Sequence, residues 1–437
     1  MAAPVLLTRR LRTVDGLAMV VGIMVGAGIF RTPGLVAERL GSPWLTFVAW
    51  IAGGALSVLG ALLFAELATR HPMAGGKYVY AREAFGRRAG FVIGWVETLG
   101  IYCVAIAGVG VVGGEYLVRL LGWPDADPRR IGALLVALVT ALNLIGVATG
   151  RWTQNLVTGA KVLALLVVVG LAAVAGTGAG WSSPAQVPAG SSLIGALAVA
   201  FQAVIWTYYG YPDAAKIAEE VVEPSRTLPR VFLLGIGCAA GLYLLLNAAF
   251  LHVLPLETIA GSTLVAGDVA GVIFGANGAA VIAALALLVV LGSLNGNVFV
   301  TPRVVFGLAR DGLAPRVFER VNSGGTPWTA MLLVGAVSVG LAATGTFERL
   351  LSYAILSVLL TDGFMVLVLF RLRRVRPEAP FRVPFYPVLP LGFLALYLAL
   401  FAGSALEQPS FVAVVAATLV VAWIVARLTV AERRGPA

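Results

Sequence analysis

The sequence predicts an all-α membrane protein with twelve transmembrane helices, of which helices 1 and 6 are discontinuous and indicate an inverted repeat. Three observations lead to this fold class. Of the 437 residues, 59% are apolar and only 12% are charged, about half the charged fraction of a soluble domain. Many apolar runs are as long as the ~20 residues that cross a bilayer. Two of them, five spans apart, are interrupted by Gly and Pro.

The apolar runs are separated by charged and Gly/Pro-rich segments, which place the twelve spans. In chain order we expect them near residues 15–38, 44–68, 90–118, 131–149, 154–176, 192–219, 230–253, 270–302, 328–345, 347–370, 388–405 and 409–427. The predicted division is a cytoplasmic tail (1–14), a first repeat with helices 1 to 5 (15–176), a second repeat with helices 6 to 10 (192–370), helices 11 and 12 (371–427) and a tail (428–437). No soluble domain interrupts the spans, so the activity is expected within the bilayer.

Positive charge alternates between the loops. Twenty-four of the 31 Lys and Arg residues fall on one side of this arrangement, six fall on the other, and Lys161 lies inside a span. The positive-inside rule therefore predicts that both termini are cytoplasmic. Loops that face an anionic leaflet also account for the net charge of +10, so we expect the lipid bilayer and no nucleic acid as a partner.

Cysteine and histidine are nearly absent. Cys103 and Cys238 lie in apolar runs, and His71 and His252 are the only histidines. No metal cluster or disulfide framework can be assembled from so few, and the chain contains no GxSxG or HExxH motif. We therefore expect no cofactor, no metal and no enzymatic activity.

The two interrupted spans predict a binding site. Span one contains Gly26-Ala27-Gly28, and a half-helix that begins near Gly28 directs free amides and its positive dipole end toward the break, which suits a carboxylate. In span six the first half-helix ends near Trp206 and Thr207, and its free carbonyls suit an ammonium group. Together the breaks predict a receptor for a zwitterion such as an α-amino acid. The alternative is that small residues only let helices pack closely, which is also our interpretation of Gly108-x-Gly110-x-x-Gly113.

Three ionisable residues lie deep in predicted spans. Lys161, in span five, is predicted to be a proton carrier or a fixed cation, unless its side chain reaches the cytoplasmic surface. Glu97 and Asp362, in spans three and ten, are intramembrane carboxylate candidates to which the sequence assigns no role.

Five stretches in order carry a resemblance to a known family. The chain resembles the amino acid–polyamine–organocation transporter superfamily and, within it, the L-type-like and related bacterial amino acid permeases. The matching stretches are VGIMVGAGIF (21–30), PMAGGKYVY (72–80), WTYYGY (206–211) with EEV (219–221) and PSRTLPR (224–230), the stretch 303–315 ending in ARDGLAP, and FRVPFYPVLP (381–390). One departure concerns the segment after the span-six glycine, where many L-type relatives have Trp-Asn and this chain has Tyr211-Pro212-Asp213.

The resemblance implies the five-plus-five inverted-repeat fold shared with the sodium-coupled leucine transporter, two further C-terminal helices, and alternating access. It also implies roles for individual residues. The amides of Gly26, Ala27 and Gly28 would bind the substrate carboxylate, and Trp206 would close the external gate. Lys161 would occupy the place of a sodium ion. The substrate amino group would be bound by the carbonyls of Met24, Trp206, Thr207 and Tyr209.

The leading hypothesis is a sodium-independent transporter of neutral α-amino acids in a bacterial-type inner membrane, working as an exchanger or a proton symporter. The alternative of the same class is a transporter of cationic amino acids or polyamines, for which Glu97, Asp213 or Asp362 would have to reach the pocket. A non-transporting receptor also stays open. Animal L-type relatives pair with a heavy chain through an external cysteine; this sequence shows no such residue, so we expect no disulfide-linked partner.

Overall fold

The computed structural model describes residues 7–26, 28–182, 193–262, 264–275, 278–345, 347–407 and 409–431. Within these ranges the chain is helical, and an isolated bridge between Leu11 and Val221 is the only β pairing there. The α-helices, in chain order, are α1 Thr13–Met24, α2 Gly28–Leu40, α3 Pro43–Arg70, α4 Lys77–Phe85, α5 Arg87–Trp95, α6 Cys103–Leu121, α7 Pro128–Leu144, α8 Val147–Ala175, α9 Leu193–Tyr208, α10 Pro224–Val253, α11 Leu256–Ala260, α12 Val265–Phe274, α13 Gly278–Val300, α14 Pro302–Arg310, α15 Trp328–Thr344, α16 Phe347–Val375, α17 Val388–Glu407 and α18 Pro409–Thr429.

Eight helical stretches of the described chain are long and apolar enough to cross a membrane. The pair α1 and α2, bent by 45° at its break, brings the number to nine. Three other predicted spans contain α7, α9 and α15, which have 17, 16 and 17 residues and are shorter than the ~20 residues of a typical span. Length and composition therefore support eight or nine membrane-spanning helices, and the number twelve remains a prediction.

Local sequence explains where several helices begin and end. Pro43 starts α3 with Ser42 as N-cap, and Pro128 starts α7 with Asp127 as N-cap, whose carboxylate accepts a hydrogen bond from the Arg129 amide at 3.0 Å. α6 ends at Leu121 and is capped by Gly122, which adopts the left-handed conformation (φ 65°) that glycine reaches without strain.

Three spans depart from the helices that the sequence predicts. A π-helical segment, Val96–Tyr102, interrupts span three between α5 and α6. Span eight, expected over 270–302, is made of α13 and α14, and α12 is separate from it. The second half of span six is not α-helical but consists of the 3₁₀ turns Tyr211–Ala215 and Ala218–Glu220. Gly210 and Pro212 explain this last difference, because they end the α9 hydrogen-bond ladder.

The helices around the first break form the centre of the protein. α1 packs against α8, α10 and α13, while α2 packs against α9. The carbonyl oxygen of Glu220 also accepts hydrogen bonds from the amides of Arg10 and Leu11, at 2.8 and 2.9 Å. The interrupted segments of spans one and six are therefore enclosed by neighbouring helices, which is where unpaired backbone groups can be tolerated at membrane depth.

Candidate functional site

The first break separates α1 from α2. α1 ends at Met24 and α2 begins at Gly28, as the sequence predicts. Ala27 lies outside the described residues. Side chains from three other helices donate hydrogen bonds to the carbonyls at the end of α1: Lys161 Nζ to Gly22 (2.5 Å) and Val25 (2.7 Å), Tyr243 Oη to Met24 (2.5 Å) and Ser293 Oγ to Ile23 (3.1 Å).

The second break follows α9. The helix ends at Tyr208, the chain turns at Gly210 with φ of 135°, and Pro212 occupies the first turn of the 3₁₀ segment that follows. The Trp206 carbonyl accepts a hydrogen bond from the Tyr209 amide at 3.0 Å. The interruption thus lies within a residue or two of its predicted position, and tight turns replace the second half-helix.

Two glycines bring the breaks into contact. A Cβ atom on Gly210 would lie 2.9 Å from Ile23 Cγ2 and 3.1 Å from the Met24 amide nitrogen. A Cβ atom on Gly28 would lie 2.8 Å from Thr207 Oγ1. The distances to Ile23 and Thr207 are below van der Waals contact and the distance to Met24 is tight, so a larger residue at either position would require the two interrupted segments to move apart.

Tyr243 of α10 is a functional candidate that the sequence reasoning missed. Its buried hydroxyl lies 2.5 Å from the Met24 carbonyl oxygen and 2.9 Å from the Thr207 carbonyl oxygen, one from each break. A phenol carries one proton, so it can satisfy only one of these two acceptors at a time. A lone tyrosine hydroxyl in the middle of an apolar span is the sequence signal that could have identified it.

An internal cavity lies between the two breaks. The space in it that the centre of a water molecule can occupy is about 50 Å³. Its wall contains main-chain and side-chain atoms of both breaks together with residues of the π segment, α6 and α13. The lining residues are Ile23, Met24, Gly26, Gly28, Ile101, Tyr102, Ala105, Val109, Trp206, Thr207, Tyr209, Gly210, Asp213, Ser293 and Asn297. Gly26 and Gly28, predicted to bind the carboxylate, line the cavity. The four residues predicted to bind the amino group also line it: Met24, Trp206, Thr207 and Tyr209.

Trp206 and Lys161 occupy different places around this cavity. Trp206 is partly buried at the cavity wall and stacks on Tyr209, with ring planes 7° apart. Lys161 is fully buried behind the first break rather than in the cavity. Its side chain does not extend to the cytoplasmic surface, because the ammonium group is occupied by the Gly22 and Val25 carbonyls. That alternative for Lys161 is wrong.

The structure brings together Glu97 and Asp362, which the sequence left without a role. Lys77 Nζ, from the start of α4, lies 2.6 Å from Asp362 Oδ1 and 3.8 Å from Glu97 Oε1. All three side chains are at most 1% exposed. Neither carboxylate lines the cavity; the charged residue among its described lining is Asp213, whose Oδ1 pairs with Lys216 at 2.7 Å.

These features define an α-helical membrane protein with an internal cavity between two interrupted segments. A family model described as amino acid permease matches residues 11–428. The chain belongs to this amino acid permease family, which confirms the predicted membership of the amino acid–polyamine–organocation superfamily.

Three relatives illustrate the range of the family. The chain is 29% identical over 392 residues to the serine/threonine exchanger SteT of Bacillus subtilis, covering 87% of each chain. It is 28% identical over 423 residues to the human large neutral amino acids transporter small subunit 2, covering 93% of this chain and 77% of the relative. The identity to the human b(0,+)-type amino acid transporter 1 is 26% over 408 residues, covering 90% and 82%.

Proposed function

We propose that this protein is a sodium-independent secondary transporter of neutral α-amino acids that works by alternating access. One observation carries the proposal: the cavity is walled by the backbone of both interrupted segments and mainly by apolar and uncharged polar side chains, and Asp213, the charged residue of its described lining, is paired with Lys216 at 2.7 Å. Unpaired amides at the start of α2 suit a carboxylate, while carbonyls at the ends of α1 and α9 suit an ammonium group. A neutral side chain would be left to the apolar and uncharged polar part of the wall.

In this proposal the amides of Gly26, Ala27 and Gly28 bind the carboxylate. The carbonyls of Met24, Trp206, Thr207 and Tyr209 bind the amino group. Met24 and Thr207 already share the Tyr243 hydroxyl, and the Met24 carbonyl also accepts a hydrogen bond from the Gly26 amide at 2.8 Å. The Gly26 amide would exchange Met24 for the carboxylate, and the incoming ammonium group would supply the proton that a single phenol cannot give to both carbonyls. Trp206, stacked on Tyr209 at the cavity wall, would close the external side.

Sodium independence follows from Lys161. Unwound carbonyls bind sodium ions in transporters with interrupted helices, and here the Lys161 ammonium already occupies the Gly22 and Val25 carbonyls. A cation at this place would have to displace a buried positive charge. We therefore propose that Lys161 is a fixed substitute for sodium.

The proposal also includes the number and arrangement of the helices, the location of the termini and the type of membrane. Twelve helices in a five-plus-five inverted repeat, both termini in the cytoplasm and a bacterial-type inner membrane agree with the loop charges and with the helices found in each predicted span. Cys103 is buried and Cys238 lies within α10, so we expect no disulfide-linked heavy chain. One of the relatives is an exchanger, and exchange and proton symport are both retained in the proposal.

Counterflow in vesicles tests the function. Purified protein reconstituted with an internal amino acid should accumulate labelled neutral amino acids from outside, at the same rate in sodium and in choline buffer. A panel of amino acids, with and without a pH gradient, would separate exchange from proton symport. Absence of flux for every amino acid tested, in protein that binds them, would instead favour a receptor.

A second candidate function is transport of cationic amino acids. Asp213 lines the cavity, and its Oδ2 atom has no hydrogen-bond partner in the described part of the chain. The close Lys216 pair already balances this carboxylate, which is why the neutral substrate is preferred. Inhibition of counterflow by arginine or lysine, abolished in Asp213→Asn, would establish the cationic alternative.

A further inference from the structure

Five charged side chains form a buried group next to the cavity, here called the ionic cluster. It contains three carboxyl groups and two ammonium groups from four parts of the fold, and none of the five is more than 1% exposed. Its members are Lys77 of α4, Glu97 of the π segment, Asp213 and Lys216 after the second break, and Asp362 of α16. Asp213 borders the cavity and the other four side chains are enclosed by protein, so the balance among the five charges largely decides their ionisation.

The pairing within the ionic cluster is uneven. Lys77 Nζ lies 2.6 Å from Asp362 Oδ1, and Lys216 Nζ lies 2.7 Å from Asp213 Oδ1. The remaining carboxyl group, that of Glu97, is 3.8 Å from Lys77. Glu97 Oε2, Asp213 Oδ2 and both Asp362 oxygens have no hydrogen-bond partner in the described chain, so the longer ion-pair distance is what distinguishes Glu97. Two ion pairs are therefore complete, and one carboxyl group is left over.

The sum of the charges in the ionic cluster indicates whether the Glu97 carboxyl group is protonated. With every group ionised, three carboxylates and two ammonium groups leave one negative charge in a buried environment. An unpaired buried charge costs several kcal/mol, and a group in that situation neutralises instead. One bound proton balances the cluster, and Glu97 is its natural site because it has the longest ion-pair distance.

Other titratable groups face Glu97 from the neighbouring elements. They are Lys77 and Tyr80 of α4, Tyr102 of its own segment, Asp213 and Lys216 after the second break, and Asp362 of α16. The two ammonium groups already lie among the carboxylates, so a sodium ion would meet two positive charges there. A proton adds the required charge without needing a coordination shell of its own.

The position of the ionic cluster links it to the cavity. Lys77 Nζ also contacts the Tyr209 hydroxyl at 2.9 Å, and both Tyr209 and Asp213 line the cavity. Lys77 itself directly follows residues 71–76, on the side that the loop charges assign to the cytoplasm. Separating α4, α16 and the 3₁₀ segment would expose the cluster to cytoplasmic water.

We propose that Glu97 binds one proton while the ionic cluster is closed and releases it to cytoplasmic water when the cluster opens. The proton leaves the Glu97 carboxyl oxygen for a water molecule, and the carboxylate that remains is solvated. When the cavity opens outward, Glu97 would take its proton from water in the cavity, whose wall includes Asp213 of the same cluster. Substrate import would then carry a proton inward, so this inference rests on the proposed transport function and assigns the proton a residue other than Lys161.

Two readouts test the proposal on the full-length protein. Reconstituted vesicles with a trapped pH dye report whether addition of a neutral amino acid outside acidifies the inside. Infrared spectroscopy of the detergent-solubilised protein reports a protonated carboxyl group without any transport. We expect both signals in the wild type and the loss of both in Glu97→Gln, with counterflow still measurable. Glu83→Gln is the matched control, since Glu83 lies on α4 and pairs with Arg82 outside the cluster.

Asp362→Asn tests the charge count independently, including the case in which Glu97→Gln fails to fold. Removing the Asp362 charge leaves Lys77 free to pair with Glu97, so the cluster balances without a proton. The infrared band should disappear although Glu97 is still present.

Each remaining outcome contradicts one proposal. Undiminished acidification in Glu97→Gln, accumulation driven by sodium, or a wild type with counterflow but neither signal would overturn the Glu97 assignment. Absence of any counterflow in a wild type that shows the infrared band would contradict the transport function and leave the bound proton intact.

Discussion

Replacing Lys161 by alanine removes the donor to two carbonyls of the first break. Lys161 Nζ lies 2.5 Å from the Gly22 oxygen and 2.7 Å from the Val25 oxygen. A buried acceptor left without a donor costs about 1–3 kcal/mol, so the two together cost about 2–6 kcal/mol in the closed arrangement of the break. The same change relieves the cost of burying an ammonium group, which is also several kcal/mol.

The lost hydrogen bonds destabilise the protein and the removed buried charge stabilises it, so the substitution should affect transport much more than overall stability. The global free energy of unfolding should change little, whereas the carbonyls at the end of α1 lose the group that orients them. Since each 1.4 kcal/mol is a factor of ten, we expect Lys161→Ala to lower counterflow in reconstituted vesicles at least tenfold, with a melting temperature within a few degrees of the wild type.

Thr158→Val is the matched control. Thr158 lies one turn before Lys161 on α8 and donates at 3.0 Å to the Ala18 carbonyl, inside the intact part of α1. That oxygen is an ordinary helix acceptor, so the control should transport almost normally. Undiminished counterflow in Lys161→Ala, beside a normal control, would refute the assignment of Lys161 to the break.

Three further changes test the contacts between the breaks. Tyr243→Phe deprives the Met24 and Thr207 carbonyls of their shared donor; we expect a larger stabilisation by substrate in thermal-shift assays than in the wild type, and an unchanged shift would contradict the role of the hydroxyl. Gly28→Leu should abolish amino-acid-dependent thermal stabilisation, because the leucine side chain would collide with Thr207. The control Gly159→Ala should bind amino acids normally, because its added Cβ meets no atom within 4 Å. Retained binding in Gly28→Leu would place the carboxylate site elsewhere. Gly210→Ala should lower the free energy of unfolding by about 1–3 kcal/mol, because alanine is strained at the φ of 135° that the chain adopts there. A denaturant unfolding curve identical to that of the wild type would contradict this backbone conformation and the close approach that it allows.

The interrupted spans were predictable because their causes are local. Gly26 and Gly28, and Gly210 with Pro212, are closely spaced residues that readily leave the helical conformation or lack an amide donor, and α1 ends and α2 begins as these residues indicate. The π segment and the 3₁₀ turns after Tyr208 were not predictable in the same way. Packing against neighbouring helices decides which non-α conformation an interrupted chain adopts.

The contacts of the predicted site could not be obtained from sequence spacing. Tyr243 lies 36 residues after Thr207 and 219 after Met24, yet one hydroxyl reaches both carbonyls. Likewise, Lys77 and Asp362 are far apart in the chain and form the closest pair of the ionic cluster. Such contacts depend on how α4, α10 and α16 cross one another.

Composition and periodicity by themselves determined that this chain enters a bilayer, which loops carry its positive charge, and where two spans cannot remain helical, because hydrophobicity and backbone geometry are properties of short segments. The tertiary structure decided which group satisfies each exposed carbonyl and which carboxyl group is left without a close counterion. Those outcomes depend on distances of a few ångströms between helices distant in sequence, and hydrogen bonds and buried charges are sensitive to distances on that scale.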